Sequence, residues 1–241
     1  MSFYVGPPLF GALRAFAEDC ERGGLDLVWP FSLEPYNASV SPREQLPNFG
    51  RNQTQALLIG NTRALWPTFL RAIAQDTQLA QTEHPLDDYV VRQVESARAR
   101  LAYATHVEFS HVVRPRALPF QRLAELAGFA RRSPSQLNVH PEYGPWFALR
   151  AVLVLDCEVV VPSTHTAPDL CSACSKPCVP AFEHALAAAK HAQRSLGLAV
   201  VHDAANWIGI RDACPYGRDY RYSEDQLRYH YAKDRAALGR L

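Results

Sequence analysis

The sequence is short of several features that would settle its function at once. No apolar run approaches the roughly 20 residues that a membrane-spanning helix needs. No charge of one sign dominates: 25 Lys and Arg face 24 Asp and Glu, a net of +1, and the signs are interspersed. Nothing in that balance favours nucleic acid or an anionic membrane surface as a partner. Residues 1–8 lack the basic and apolar regions of a signal peptide, so a cytosolic protein is expected. The sequons at Asn37 and Asn52 are then chance matches. There is no glycine-rich dinucleotide fingerprint, no P-loop and no Gly-x-Ser-x-Gly elbow. There is no internal repeat and no low-complexity tract.

What is present is a chain of 241 residues, 48% hydrophobic, enough for one large globular domain. Residues 1–241 are read as a single domain with a cysteine-containing loop at about 162–180. Apolar spacing predicts an amphipathic helix over 9–22, stopped by Gly23-Gly24. Strands are predicted over 25–29 and 55–59, with a Pro/Asn/Ser-rich loop over 35–51 between them. Asn61 is a candidate N-cap for a helix carrying Leu65, Phe69 and Ile73. His84-Pro85-Leu86-Asp87-Asp88 opens a helix to about 102, with proline in its first turn and acids at its positive end. A strand over 105–113, a helix over 118–130, a long strand over 146–161, an Ala-rich helix over 181–196 and a short strand over 198–202 follow. Ser223-Glu224-Asp225 starts the last helix. Without a regular βαβ rhythm, the fold class expected is α+β.

Arg150 lies inside an otherwise apolar run, Trp146-Phe147-Ala148-Leu149 before it and Ala151-Val152-Leu153-Val154-Leu155 after it. A charge there must find an anionic partner or reach a cavity, because burying it unpaired is expensive. The turn before it, His140-Pro141-Glu142-Tyr143-Gly144-Pro145, is a candidate pocket wall. His140 either faces a ligand or caps the turn with a ring nitrogen; Trp146 and Phe147 suit a core. Arg211 and Arg235, the latter in the predicted last helix, are further candidates for carboxylate recognition, since the guanidinium fork donates two parallel hydrogen bonds. The alternatives are a local ion pair for Arg211 and a solvated face for Arg235.

Six cysteines are present, three of them in Cys171-Ser172-Ala173-Cys174-Ser175-Lys176-Pro177-Cys178. That spacing suits one Zn²⁺ or one edge of an iron–sulfur cluster, with Cys214, His165 or His184 as the fourth ligand. The alternative is a loop of reduced thiols.

The stretch Asn138-Val139-His140-Pro141-Glu142-Tyr143-Gly144-Pro145-Trp146-Phe147-Ala148-Leu149-Arg150 resembles the cobalamin-processing proteins of the methylmalonic aciduria and homocystinuria type C family. Pro30-Phe31-Ser32-Leu33-Glu34-Pro35-Tyr36-Asn37, His84-Pro85-Leu86-Asp87-Asp88, Cys178-Val179-Pro180, Arg211-Asp212-Ala213 and Arg221-Tyr222-Ser223-Glu224-Asp225-Gln226 continue the likeness in order.

The resemblance implies a flavin-reductase or nitroreductase-like fold and cobalamin bound with its lower base displaced. The absence of Asp-x-His-x-x-Gly, which places a histidine on cobalt in many B12 enzymes, agrees. It implies reductive decyanation by reduced flavin (FMN or FAD) and dealkylation by glutathione, whose carboxylates would be read by Arg150, Arg211 and Arg235. It implies a cobalamin pocket lined by Leu118, Pro119, Phe120, Gln121, Asn138, His140, Trp146 and Leu149. A downstream protein that accepts cobalamin is an expected partner, and the chain a monomer or homodimer.

Two departures stand out. The family's Tyr-Tyr-Gln stretch is replaced around Arg132-Ser133-Pro134, and Asn138 stands where members can carry cysteine. Beside the enzyme, the second reading is a non-catalytic chaperone that carries cobalamin to a partner. The Cys171/Cys174/Cys178 run is more similar to that of epoxyqueuosine reductase, and implies a third reading, a cobalamin-dependent reductase with a cysteine-held metal.

Overall fold

The apolar run Ala151 to Leu155 becomes the buried centre of the longest strand. The computed structural model describes residues 9–112, 117–159, 166–196 and 204–239. In chain order its elements are α1 (Gly11–Arg22), β1 (Leu27–Ser32), α2 (Glu34–Ser39), β2 (Thr54–Asn61), α3 (Leu65–Gln75), α4 (Thr77–Gln81), α5 (Pro85–Arg98), β3 (Thr105–Phe109), α6 (Phe120–Leu126), β4 (Arg131–Arg132), β5 (Asn138–Val139), β6 (Ala148–Glu158), α7 (Cys178–Leu196), α8 (Ala204–Asp212) and α9 (Glu224–Ala232). Short 3-10 turns lie at Arg218–Tyr220 and Arg235–Leu238.

Backbone contacts group the chain into two compact units. The first takes the described residues of Met1–Ala130 and Phe147–Ala167; the second takes those of Arg131–Trp146 and Pro168–Leu241.

The first unit is built on a four-stranded sheet in the order β1-β2-β6-β3, every neighbouring pair antiparallel. Helices beside an antiparallel sheet make the α+β class expected from the sequence. β2 is buried along its whole length, as a central strand covered on both faces requires. Its register sets Leu58 opposite Val152, and β3 sets Val107 opposite Leu153. α1 buries Leu13, Phe16 and Cys20, α3 buries Leu65, Trp66, Phe69 and Ile73, and α5 buries Leu86, Tyr89, Val90, Val94 and Ala97. Each large apolar side chain so buried contributes roughly 1.5–3 kcal/mol. α5 begins at Pro85 with Asp87 and Asp88 in its first turn, as its sequence predicts.

The predicted 35–51 loop is partly helical: Pro35, free to occupy a first helical turn, opens α2. From α2, Asn37 grips the rest of the loop at both ends of its amide, donating to the Leu46 carbonyl at 2.8 Å and accepting from the Leu46 N–H at 2.9 Å. Tyr36 Oη donates to the Glu44 carbonyl at 3.1 Å. Asn61 is not an N-cap. It ends β2, and α3 starts after Ala64, whose N–H donates to Thr62 Oγ1 at 3.2 Å. Asp26 holds Thr62 in turn, accepting from its N–H and its hydroxyl.

In the second unit β4 and β5 form a two-residue ladder, Arg132 opposite Asn138. Trp146, Tyr222 and Leu227 make one buried cluster; Cys178, Ala185 and Ile210 make another. Ser223 caps α9, accepting from the Gln226 N–H at 3.3 Å, as expected. Arg235 is not in the last helix: α9 ends at Ala232, Lys233 turns left-handed with φ 54°, and Arg235 opens the 3-10 turn that follows. The strand predicted over 198–202 lies outside the described residues. Among the described residues, no helix is long and apolar enough to cross a membrane.

Candidate functional site

Arg150 shows how a charge survives in an apolar strand. Its Nε donates to Asn61 Oδ1 at 2.7 Å, and its Nη1 lies 3.8 Å from Asp87 Oδ1, with only 12% of the side chain exposed. β2 supplies the first partner and the first turn of α5 the second. Also in the first unit, Leu149 stands beside it on β6, its carbonyl accepting from Ser110 Oγ at 2.8 Å. Pro119 sits at the N-terminus of α6, followed by buried Phe120 and exposed Gln121; Leu118 is half-buried.

The second unit holds the turn from His140 to Trp146. His140 and Gly144 exchange backbone hydrogen bonds, 2.9 Å in each direction. The buried ring of His140 accepts at Nδ1 from the N–H groups of Glu142 at 3.1 Å and Tyr143 at 3.3 Å. Two donors on Nδ1 place the ring's single proton on Nε2. The ring stacks on Tyr143, centroids 4.4 Å apart. Burial pushes the imidazole down to about 3, so it is neutral near neutral pH. Of the two readings of His140, turn capping is what this geometry supplies.

Gly144 closes the turn at φ 55°, and a Cβ there would collide with the Tyr216 carbonyl. Gly217, at φ 68°, meets Tyr143 in the same way. Only residues without a side chain let these two backbones approach.

Trp146 is 1% exposed, a core residue. Arg211 lies over its ring at 5.8 Å and Arg221 at 5.7 Å. Tyr222 meets its edge at 5.6 Å. Asp212 and Glu224 hold Arg221 charged. Arg211 is bonded otherwise: its Nη1 donates to the Pro145 carbonyl, and its Nε is buried with no hydrogen-bond partner among the described residues. The local ion pair with Asp212 weighed for Arg211 belongs instead to Arg221. Asn138, on β5, is buried; Arg235 is exposed.

Sequence spacing pointed to three cysteines; the fold of the second unit brings a fourth to them. Cys171, Cys174, Cys178 and Cys214 line one narrow cavity, together with Ile210, Leu137 and Val139. Among the described residues no group of three or more His, Cys, Asp or Glu side chains is placed to hold a metal ion. Burial pushes the Cys171 and Cys214 thiols up. His165 lies outside the described residues.

No family model matches the chain. Over 168 residues it is 29% identical to a cyanocobalamin reductase/alkylcobalamin dealkylase of Bos taurus, covering 61% of this chain and 59% of that protein. Over 146 residues it is 28% identical to the Homo sapiens protein of the same name, covering 53% and 51%. The chain therefore spans between half and three-fifths of the length of the curated relatives it matches. A solved structure of the C. elegans B12-trafficking protein CblC, described as a homologue of human MMACHC, superposes with a TM-score of 0.61 at 20% identity, covering 94% of each chain. Epoxyqueuosine reductase from Bacillus subtilis gives a TM-score of 0.43 at 13% identity, covering 71% of this chain and 52% of that one. In sequence the chain is similar to the cyanocobalamin reductase/alkylcobalamin dealkylases, and its fold, nitroreductase-like α+β, is similar to that of CblC.

Proposed function

We propose that the chain is a cytosolic cobalamin-processing enzyme that binds cobalamin base-off and removes its upper axial ligand. The observation that carries this is the 29% identity over 168 residues to proteins named for those two activities. In this reading residues 1–241 serve as one cobalamin-binding domain, and Leu118, Pro119, Phe120, Gln121, Asn138, His140, Trp146 and Leu149 are its candidate corrin contacts.

Glutathione is the thiol of the dealkylation step. Its thiolate attacks the cobalt-bound carbon, a carbon–sulfur bond forms, and the electron pair of the broken cobalt–carbon bond leaves with cobalt(I). Arg150, Arg211 and Arg235 bind the tripeptide's carboxylates. Arg211 gives this the clearest support: its Nε is an unsatisfied donor among the described residues, and such a donor is costly until an acceptor arrives. In the decyanation step reduced flavin, FMN or FAD, delivers electrons to cobalt(III), and cyanide departs as the metal is reduced.

The test is the visible spectrum of the protein with methylcobalamin under anaerobic conditions, before and after glutathione. Conversion to cobalt(I) with release of the methyl thioether supports the enzyme. Binding without any conversion, with thiol or reduced flavin, leaves the second reading, a carrier that hands cobalamin to an acceptor protein. One observation favours that carrier: Arg150 already has Asn61 and Asp87 within the fold.

A further inference from the structure

Two cavities of the second unit share three lining residues, Ser133, Cys171 and Lys176. The first, lined by Cys171, Cys174, Cys178 and Cys214, has a volume of about 10 Å³. That is the space of about one water molecule, so a small-molecule ligand is kept out. The second is an open basin of about 330 Å³ lined by Arg132, Ser133, Pro134, Asp169, Ser172 and Lys176. Cys171 borders both cavities, and so does Lys176.

Cys171 and Cys174 are partly exposed, whereas Cys178 and Cys214 are buried. Asp169 shapes the rim, its Oδ1 accepting from the N–H groups of Cys171 and Ser172 at 3.1 and 3.2 Å. Lys176 adopts a left-handed φ of 58°, and its N–H donates to Cys174 Sγ at 3.3 Å. A partly exposed thiol with buried thiols behind it and exposed cationic side chains before it suits an entering and a resolving cysteine.

We propose that this cluster is a thiol–disulfide exchange site for a small anionic disulfide, with Cys171 as the entering thiol and Cys178 as the resolving one. The Cys171 thiolate attacks one sulfur of the disulfide RSSR; a mixed disulfide forms and the first RS⁻ leaves. The Cys178 thiolate attacks the Cys171 sulfur; the second RS⁻ leaves, and both leaving thiolates take up the protons the cysteines lost. The sum is RSSR plus two cysteine thiols giving one Cys171–Cys178 disulfide and two RSH: the cysteines are oxidised by two electrons and the small disulfide is reduced. Cys178 is assigned as resolving because it is buried, at the start of α7, in the cavity that Cys171 borders. The site goes beyond the cobalamin reading and stands without it.

The experiment uses the full chain, reduced, freed of reductant without air, and incubated with glutathione disulfide. Alkylation and peptide mapping then locate each thiol. The expected result is two thiols lost in a Cys171–Cys178 disulfide, with two glutathione thiols released, while Cys20 and Cys157 stay reduced. Cys178→Ser should trap a mixed disulfide on Cys171. Cys171→Ser should slow thiol loss about tenfold or more, since the remaining thiols lack its access. Lys176→Gln with Arg132→Gln should slow glutathione disulfide roughly threefold, the scale of surface-charge steering, and leave uncharged bis(2-hydroxyethyl) disulfide unchanged. Three outcomes would overturn the proposal: Cys157 consumed as fast as Cys171, a disulfide that excludes both Cys171 and Cys178, or a stoichiometric metal ion protecting the four thiols from alkylation. Cobalamin is absent throughout, so failure here leaves the cobalamin reading untouched, and failure of that reading leaves this one.

Discussion

Arg150 Nε donates to Asn61 Oδ1 at 2.7 Å, tying the start of β6 to the end of β2 with a charged group. Asn61 is fully buried, so its oxygen loses its donor outright in Arg150→Ala. The expected cost is about 1.5–3 kcal/mol, a fall of several degrees in thermal unfolding. Arg150→Lys keeps the charge without the fork and should fall between. If Arg150 also reads a thiol carboxylate, the alanine variant raises the KM for glutathione roughly tenfold, about 1.4 kcal/mol, with cobalamin binding unchanged. Stability and KM are measured separately, so the two roles separate.

His140 makes the stability of its turn depend on pH. Folded, the ring stays neutral down to about 3; unfolded, it gains a proton below about 6.5. A depressed histidine contributes stability that is complete above the unfolded value and is lost as pH falls from there towards the folded one. The loss is about 1.4 kcal/mol per pH unit, hence about 2 kcal/mol by pH 5. Urea unfolding at about pH 7.5 and pH 5 should show His140→Gln losing less stability over that interval than the natural chain does.

Gly144→Ala should be among the most damaging single changes. The new Cβ meets the Tyr216 carbonyl, and φ is 55°; strain and overpacking together cost about 2–4 kcal/mol. Gly11→Ala is the control. Its φ is 51° with nothing within 4 Å, so only the backbone term remains, about 1–2 kcal/mol. Thermal unfolding of the pair isolates the collision; equal losses would refute it.

Arg211→Gln removes the guanidinium that lies 5.8 Å from the Trp146 ring and donates to Pro145. The expected result is a changed tryptophan emission and a KM for glutathione raised roughly tenfold, the scale of one lost charge-assisted contact. An altered emission with unchanged KM would make Arg211 a support of Trp146 and nothing more.

Much of this was legible in the sequence where a local rule dominates. Pro85 with Asp87 and Asp88 predicts α5, Ser223 predicts α9, and the apolar run around Val152 predicts β6; each element depends on its own residues. The expectations that failed involve partners far along the chain. Asn61 looks like a helix cap, but Arg150, 89 residues away, takes its oxygen. α8 escapes periodicity because its apolar residues do not gather on one side: Trp207 and Ile210 pack towards the Cys178 cluster, Ile208 towards Trp146. Cys214 could be named only as one of several fourth ligands, and a shared cavity is what singles it out. Arg150, the charge within the apolar stretch of β6, needs a partner on sequence grounds alone; which partner depends on tertiary pairing.

The meeting of Gly144 and Gly217 has a mechanical consequence. Two turns that touch backbone to backbone have no rotamers between them to take up displacement. Gly144 is two residues before Trp146, and Gly217 three after Cys214. The thiol-lined cavity wall at Cys214 and the ring beside Arg211 and Arg221 thus lie on two turns in direct backbone contact, with no side chain between them to repack.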